Sequence, residues 1–311
     1  MSVPNASAFR GVIPILATPF HDDESPDFAS LERLIRFYVE QIGVDGVTVL
    51  GVLGESNRLT DAERTALTKT AIAAAGGKPV IVGTSHTGTA ATIALTREAA
   101  ELGASAVMVA PSKQPVPSDA VVFEYYHRVI EASPVPVVVQ DHPLSTEVHM
   151  PTPLLLRIAN EFPKVACIKA EATPSPTKIA ALKAGLTRKE VTVLTGLGAL
   201  YGFFDLERGS DGFNTGFAFP EVLQALVERA RAKDFDTARR IFMRYLPLMV
   251  FEQQPGVAIR KEILRLRGLL SSSRVRHPAG SIDAATAEQL RRLLDATFPG
   301  QDLTKPVRVE T

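Results

Sequence analysis

Apolar residues fall into two patterns that alternate along the chain. Short continuous runs, of the kind that form strands covered on both faces, are each followed by a longer segment with apolar positions at helical spacing. Gly11 to Leu16 precedes Leu31 to Ile42, where Leu31, Leu34, Ile35, Tyr38, Val39 and Ile42 share one face. Gly46 to Leu50 precedes a helix from Asp61, opened by Thr60 with Glu63 three residues on, which is a capping-box pattern. The couplet then recurs six times: Val80–Val82 with Ala90–Leu102, Ala106–Ala110 with Asp119–Ala132, Val135–Val139 with Pro153–Glu161, Val165–Glu171 with Pro176–Ala184, Val191–Leu194 with Ala199–Glu207, and Gly212–Phe213 with Pro220–Ala232.

Eight successive couplets imply a parallel sheet with right-handed crossovers, and their number predicts an α/β fold of the closed (β/α)8 TIM-barrel type over residues 1–232. Three further helical segments, Phe235–Phe251, Val257–Leu269 and Ala284–Ala296, predict a C-terminal three-helix appendage over residues 233–298. Residues 299–311 are polar and contain proline, and read as a loosely ordered tail.

Composition narrows the partners. With 34 basic and 34 acidic residues among 311 and no dense basic run, the chain has no electrostatic footprint for nucleic acid or an anionic membrane, which leaves a small molecule. Cys167 is the single cysteine, so there is no internal disulfide and no cysteine cluster for zinc. No His, Asp or Glu group has metal-ligand spacing, and neither a metal nor a cofactor is expected. The start of the chain lacks a signal-peptide pattern and no apolar run reaches the roughly 20 residues that span a bilayer, so a cytoplasmic protein is expected.

In barrels of this kind the reactive groups sit at the C-terminal ends of the strands. Those positions carry Gly51-Val52-Leu53-Gly54-Glu55, Gly83 to His86, Pro111 to Lys113, Gln140-Asp141-His142-Pro143, Lys169-Ala170-Glu171, Gly196-Leu197-Gly198 and Asn214-Thr215-Gly216. Lys169 is the lysine that falls inside a strand-like run. An amine among apolar walls loses solvation for its charged form, and a neutral amine can attack a carbonyl to form a Schiff base, whose iminium then serves as an electron sink. The alternative is a lysine that is merely paired with Glu171 or reaching toward the barrel mouth. The two glycines around Val52 and Leu53 can bring backbone N–H groups close to an anion such as a substrate carboxylate, or can simply shape a tight turn.

These segments together resemble the dihydrodipicolinate synthase and N-acetylneuraminate lyase family of Schiff-base aldolases and dehydratases. The resemblance spans nearly the whole chain: Pro14 to Phe20, Gly51 to Ser56 with Leu59-Thr60 and Glu63-Arg64, Ile168-Lys169, and the helical C-terminal part. It implies a barrel with a C-terminal helical domain, a homotetramer, and pyruvate or another 2-oxo acid bound on Lys169 with its carboxylate at the backbone of Gly51, Val52, Leu53 and Gly54. Four features of the family are missing. Gln140 stands where a Tyr-Asn-x-Pro segment places its proton-relaying tyrosine, and Val52 and Leu53 stand where threonine hydroxyls are common. Ser145 stands where synthases of lysine biosynthesis carry an arginine for the aldehyde's carboxylate. An aromatic residue supplied by a neighbouring subunit after strand four is also replaced, by Ser112 and Lys113.

Glu171 lies two residues beyond Lys169 and faces the same side if the strand continues, so it can substitute for the tyrosine as proton carrier; pairing with Lys178 is the alternative. Asp141 and His142 are further candidates to replace the tyrosine, with His142 also a substrate-binding residue; Asn214 and Thr215 suit the hydroxyls of a sugar-derived acid, His86 reads as structural, and Cys167 as an apolar filler of the barrel. The sequence therefore predicts a Schiff-base-forming lyase acting on a 2-oxo acid, a dehydratase or aldolase of a 2-oxo-3-deoxy sugar acid, with catalytic residues Lys169, Glu171 and Gln140. The alternatives are a 2-oxo acid binding protein without turnover, and 4-hydroxy-tetrahydrodipicolinate synthase activity despite the missing residues.

Overall fold

Eight short strands hydrogen-bond in parallel: β1 Gly11–Val12, β2 Val47–Val49, β3 Val80–Gly83, β4 Ala106–Val109, β5 Val137–Asp141, β6 Val165–Ala170, β7 Thr192–Thr195 and β8 Gly212–Phe213. Neighbours in space follow the order β1-β8-β7-β6-β5-β4-β3-β2. The remaining gap closes where Ile15 bridges Thr48, with the Leu16 N–H on the Thr48 carbonyl and the Thr48 N–H on the Pro14 carbonyl, each at 2.8 Å. The sheet is therefore a barrel, as the couplets predicted. This computed structural model describes residues 9–115, 118–254 and 256–311. The polar start of the chain, residues 1–8, lies outside the described residues.

Helices α1 Phe28–Arg36, α2 Asp61–Ala74, α3 Thr89–Glu101, α4 Asp119–Ala132, α5 Pro143–Thr146, α6 Thr152–Glu161, α7 Ser175–Gly185, α8 Gly202–Glu207 and α9 Pro220–Arg231 surround the strands. Helix α1 begins three residues before the predicted Leu31, because the Asp27 carboxylate accepts from the Ser30 N–H and caps it there. The capping box at Thr60 and Glu63 forms as the sequence indicates. Helices α10 Phe235–Phe251, α11 Val257–Leu266 and α12 Ala284–Thr297 follow the barrel. Residues 299–311 are not loose: the buried Val307 donates its N–H to Glu221 at 3.1 Å, and the Glu310 N–H reaches the Tyr245 hydroxyl at 3.0 Å. Leu303 and Val309 also pack against the core, so the few apolar residues of this polar segment dock it.

Alternation along the strands sorts side chains into two cores. Val137, Val139, Ile168 and Ala170 join the large apolar layer beneath the helices. Val138 and Cys167 belong to a smaller cluster with Phe9, Ile13, Ile81, Met108 and Leu194, which fills the barrel interior. Cys167 is thus the filler the sequence predicted, and burial pushes its thiol up to about 12. A bulge between β5 and β6 leaves Ala166 as an extra residue, after which Val138 stands opposite Cys167 and Gln140 opposite Lys169.

Candidate active site

Because Gln140 and Lys169 are paired across adjacent parallel strands, their side chains project together into the mouth of the barrel above Val138 and Cys167. The Glu171 N–H donates to the Asp141 carbonyl at 3.0 Å, so the ladder extends one rung past β6 and Glu171 faces the same way as Lys169. The Lys169 Nζ lies 2.8 Å from Glu171 Oε2. Gln140 Nε2 donates to that same oxygen at 2.8 Å, and the Leu197 N–H donates to Glu171 Oε1 at 3.0 Å. Lys169, Glu171 and Gln140 are 2%, 4% and 3% exposed, so these contacts operate away from bulk water. Lys178, the alternative partner for Glu171, instead sits 2.6 Å from Asp141 Oδ2.

Burial works to raise the Glu171 pKa, but it is outweighed by the charge of Lys169, by His142 and by the Leu197 N–H, and the carboxyl is held below its ordinary value. His142 Nδ1 stands 3.9 Å from Glu171 Oε2 and 2.7 Å from the Ser145 hydroxyl. Burial lowers the His142 pKa and the attraction of Glu171 offsets only part of that. Asp141, of opposite parity to Gln140, points away from the lumen, and its carboxyl is raised by burial despite Lys178.

The turn after β7 was not foreseen as part of this cluster. Leu197, Gly198 and Ala199 take three consecutive left-handed conformations with φ of 47°, 63° and 61°. Two of these residues carry a Cβ, so the segment holds backbone strain, a feature found where geometry serves a site. A Cβ on Gly196 would lie 2.3 Å from Glu171 Cγ, so only glycine leaves room for the carboxylate there. The sequence signal was the Gly196-Leu197-Gly198 spacing after a strand, which by itself does not say what the turn grips.

After β2, Leu50 and Glu55 adopt left-handed φ of 57° and 52° around a single 3-10 turn, Val52–Gly54. The Gly54 and Glu55 N–H groups bond back to Gly51 and Val52 at 3.0 and 3.1 Å, and the Val52 and Leu53 N–H groups stand outside these bonds. Gly54 offers its carbonyl to the Thr18 hydroxyl at 2.6 Å. Val52 is 55% exposed. Leu53 leans toward β8, where a Cβ on Gly216 would meet its Cδ1 at 1.9 Å.

The structure brings Lys169, Glu171, Gln140 and His142 together and uses Asn214 differently. The amide of Asn214 donates to the Ile13 carbonyl and the Thr48 hydroxyl, both at 2.8 Å, stitching β8 to β1 and β2. Its Oδ1 has no partner among the described residues, so what Asn214 can offer a ligand is an acceptor. Thr215, also buried, accepts the Ile15 N–H on its carbonyl at 2.9 Å. His86 is exposed and its Nδ1 accepts from the Gly88 N–H at 3.1 Å at the entry to α3. Among the described residues no cluster of three or more His, Cys, Asp or Glu could hold a metal, and no helix is long and apolar enough to cross a membrane.

A buried lysine at the end of a barrel strand, with an adjacent carboxylate able to exchange its proton, defines a barrel enzyme of the class I lyase type. Residues 8–297 match the family described as Dihydrodipicolinate synthetase family, and the chain belongs to it. It is 33% identical over 297 residues to an L-2-keto-3-deoxyarabonate dehydratase from Azospirillum brasilense, covering 93% of this chain and 95% of that protein. The crystal structure of a dihydrodipicolinate synthase from Rhodopseudomonas palustris superposes with a TM-score of 0.89 at 37% identity, covering 95% of this chain and all of the other (100%). A prophage protein of the dihydrodipicolinic acid synthase family from E. coli K12, solved in complex with pyruvate, superposes with a TM-score of 0.86 at 28% identity, covering 93% and 98%.

Proposed function

We propose that the protein dehydrates a 2-oxo-3-deoxy sugar acid through a Schiff base on Lys169, with Glu171 as the proton carrier. The observation that carries this reading is the position of the Glu171 carboxylate, 2.8 Å from both the Lys169 amine and the Gln140 amide. Gln140 is an amide and cannot exchange a proton, whereas Glu171 can, and Gln140 and the Leu197 N–H fix its two oxygens. The relative with a keto-deoxy sugar acid dehydratase activity supports the same substrate class.

Glu171 first accepts a proton from the Lys169 ammonium, which frees the amine to add to the C2 carbonyl; it then returns that proton to the hydroxyl of the adduct, and loss of water gives the iminium with Glu171 ionised again. The C3–H bond then breaks, its electron pair moving toward the iminium nitrogen to give a neutral enamine and its proton passing to Glu171. With the nitrogen uncharged, the largest pull that held Glu171 ionised is gone while burial still disfavours the carboxylate, which favours the carboxyl keeping the proton. It delivers that proton to the C4 hydroxyl as the C4–O bond breaks and the enamine electrons return. Hydrolysis releases the product and restores Lys169. The 2-oxo acid's carboxylate rests on the Val52 and Leu53 N–H groups, with Asn214 Oδ1 and Thr215 facing the substrate's hydroxyls.

Ser145 bonds to His142 and offers no cation for a second carboxylate, which weighs against lysine-biosynthetic condensation. A homotetramer in the cytoplasm is the assembly and location this family reading carries, and light scattering of the purified chain tests the former. The chemistry is tested by incubating the protein with pyruvate and borohydride and weighing it: a single reduced adduct that disappears in Lys169→Ala is expected, and an adduct that survives in that variant overturns the assignment. A panel of 2-oxo-3-deoxy sugar acids with product identification separates dehydration from aldol cleavage and from binding without turnover.

A further inference from the structure

Helix α11 carries three consecutive charged residues, Arg260, Lys261 and Glu262, that are all buried. Charges are driven out of an interior unless each has a partner. Successive positions on a helix diverge by about 100°, so neighbouring cations reach different targets. Arg260 meets Glu252 at 3.0 Å, and Glu252 in turn accepts the Ala218 N–H, beyond β8, at 3.1 Å. Lys261 reaches the other way, to the turn after β2, where its Nζ lies 2.5 Å from Glu55 Oε1.

Further charged groups converge on this second contact. Glu55 Oε2 takes Arg58 Nη1 at 2.7 Å and the Arg276 N–H at 3.0 Å, so the carboxylate is gripped from three directions. Lys261 also donates to the Arg274 carbonyl at 2.7 Å and stands 4.3 Å from the centre of the Phe20 ring, whose centre Arg276 approaches to 4.4 Å. Arg276 is held by Glu63 at 2.7 Å. Glu55 is itself the left-handed residue that closes the turn carrying Val52 and Leu53. A side chain 206 positions further along the chain thus contacts the residue that closes the turn carrying the Val52 and Leu53 N–H groups.

We propose that Lys261 is a positioning residue for that turn: by anchoring Glu55 to α11, it sets the orientation of the Val52 and Leu53 N–H groups and thereby the affinity for the carboxylate of the 2-oxo acid. The proposal rests on the reading of this turn as the carboxylate site. Burial already disfavours the charged form of Lys261, lowering it to about 8, and Glu55 keeps Arg58 and the Arg276 N–H when the ammonium is removed. Lys261→Met is therefore expected to fold and to alter the turn, at the loss of the bond to the Arg274 carbonyl.

The experiment titrates full-length protein with pyruvate and, separately, with hydroxyacetone, a ketone without a carboxylate, traps each with borohydride and quantifies label on Lys169 by mass. Lys261→Met is expected to raise the pyruvate concentration for half-maximal labelling by about tenfold or more, the scale on which misplaced supporting groups act, and to leave hydroxyacetone unchanged. Lys261→Arg is expected to recover part of the loss. An unchanged pyruvate titration, or an equal shift for both ketones, overturns the proposal. Should Lys261→Met not fold, Glu55→Gln keeps the shape of the carboxylate and carries the same expectation and the same refutation. Wild-type protein that labels both ketones at equal half-saturation overturns the carboxylate reading of the turn itself, and this proposal with it; absence of label on wild-type Lys169 overturns the Schiff-base reading.

Discussion

Among the described residues there are two buried lysine–glutamate pairs, Lys169–Glu171 at 2.8 Å and Lys261–Glu55 at 2.5 Å, whose side chains are almost equally hidden from solvent. Their chemistry is the same and their surroundings are not. Lys169 and Glu171 sit at the end of a strand facing the barrel lumen, beside an amide, an imidazole and a backbone N–H that hold the carboxylate in place. Lys261 and Glu55 are enclosed between a helix and a loop by Arg58, Arg276 and Phe20. A buried ion pair by itself says little about purpose, since its desolvation penalty rivals its attraction. What separates the two is where the strand or helix delivers them: one lies at the C-terminal end of a barrel strand, where such barrels carry their reactive groups, and the other joins a helix to a turn.

Exchanging lysine for an uncharged side chain in each pair is expected to separate them most widely. Lys169→Met should lower turnover by at least about a thousandfold, because no other group forms the covalent intermediate, while Lys261→Met should retain kcat and lose affinity. Steady-state kinetics on the best sugar acid of the panel measures both. Next in size, Glu171→Gln is expected to reduce kcat by about a hundredfold or more, the contribution typical of a positioned proton carrier, while the pyruvate adduct still forms because a buried lysine without its carboxylate partner is driven to the neutral amine. Smaller again, Gly196→Ala brings a Cβ against Glu171 and should displace its carboxylate, lowering kcat by roughly tenfold to a hundredfold with little change in KM. A wild-type rate in Gly196→Ala would remove the β7 turn from the account.

The smallest effect concerns pH. Burial places the folded-state value of Lys261 at about 8 against 10.5 ordinarily, so between those limits the unfolded chain binds more protons than the folded one. Unfolding free energy attributable to this residue therefore rises with pH across the window, by no more than about 1.4 kcal/mol per unit, and is flat below it. Denaturant midpoints of wild type and Lys261→Met at pH 7, 8.5 and 10 should show the wild type gaining relative to the variant; parallel profiles would contradict the enclosed position of Lys261.

The barrel was legible because buried parallel strands need continuous apolar runs and their covering helices need one apolar stripe, and both periods are printed in the chain. Even the weak pair Gly212-Phe213 was found as β8, by its place in the alternation. Lys169 was legible as a charge out of place, and Glu171 through the two-residue repeat of a strand. Partners remote in sequence were not. Nothing near Glu171 announces that Leu197 will donate to it, and nothing near Glu55 announces Lys261, because loop and helix contacts carry no period. Gln140 was placed just past its strand and lies within β5, since polar residues at a strand's open end break the apolar run before the ladder stops. Asn214 looked like a free hydrogen-bonder, yet its donors close the barrel seam.

The central proposal is that Glu171 carries the proton in place of the tyrosine that the family resemblance implies at the position of Gln140. Proton NMR of pyruvate in deuterated buffer measures this at the first C–H step, since an enamine formed on Lys169 exchanges the methyl hydrogens with solvent. Wild type should exchange them, Lys169→Ala should not, and Glu171→Gln should form the borohydride-reducible adduct without exchange. Exchange at the wild-type rate in Glu171→Gln would contradict the account.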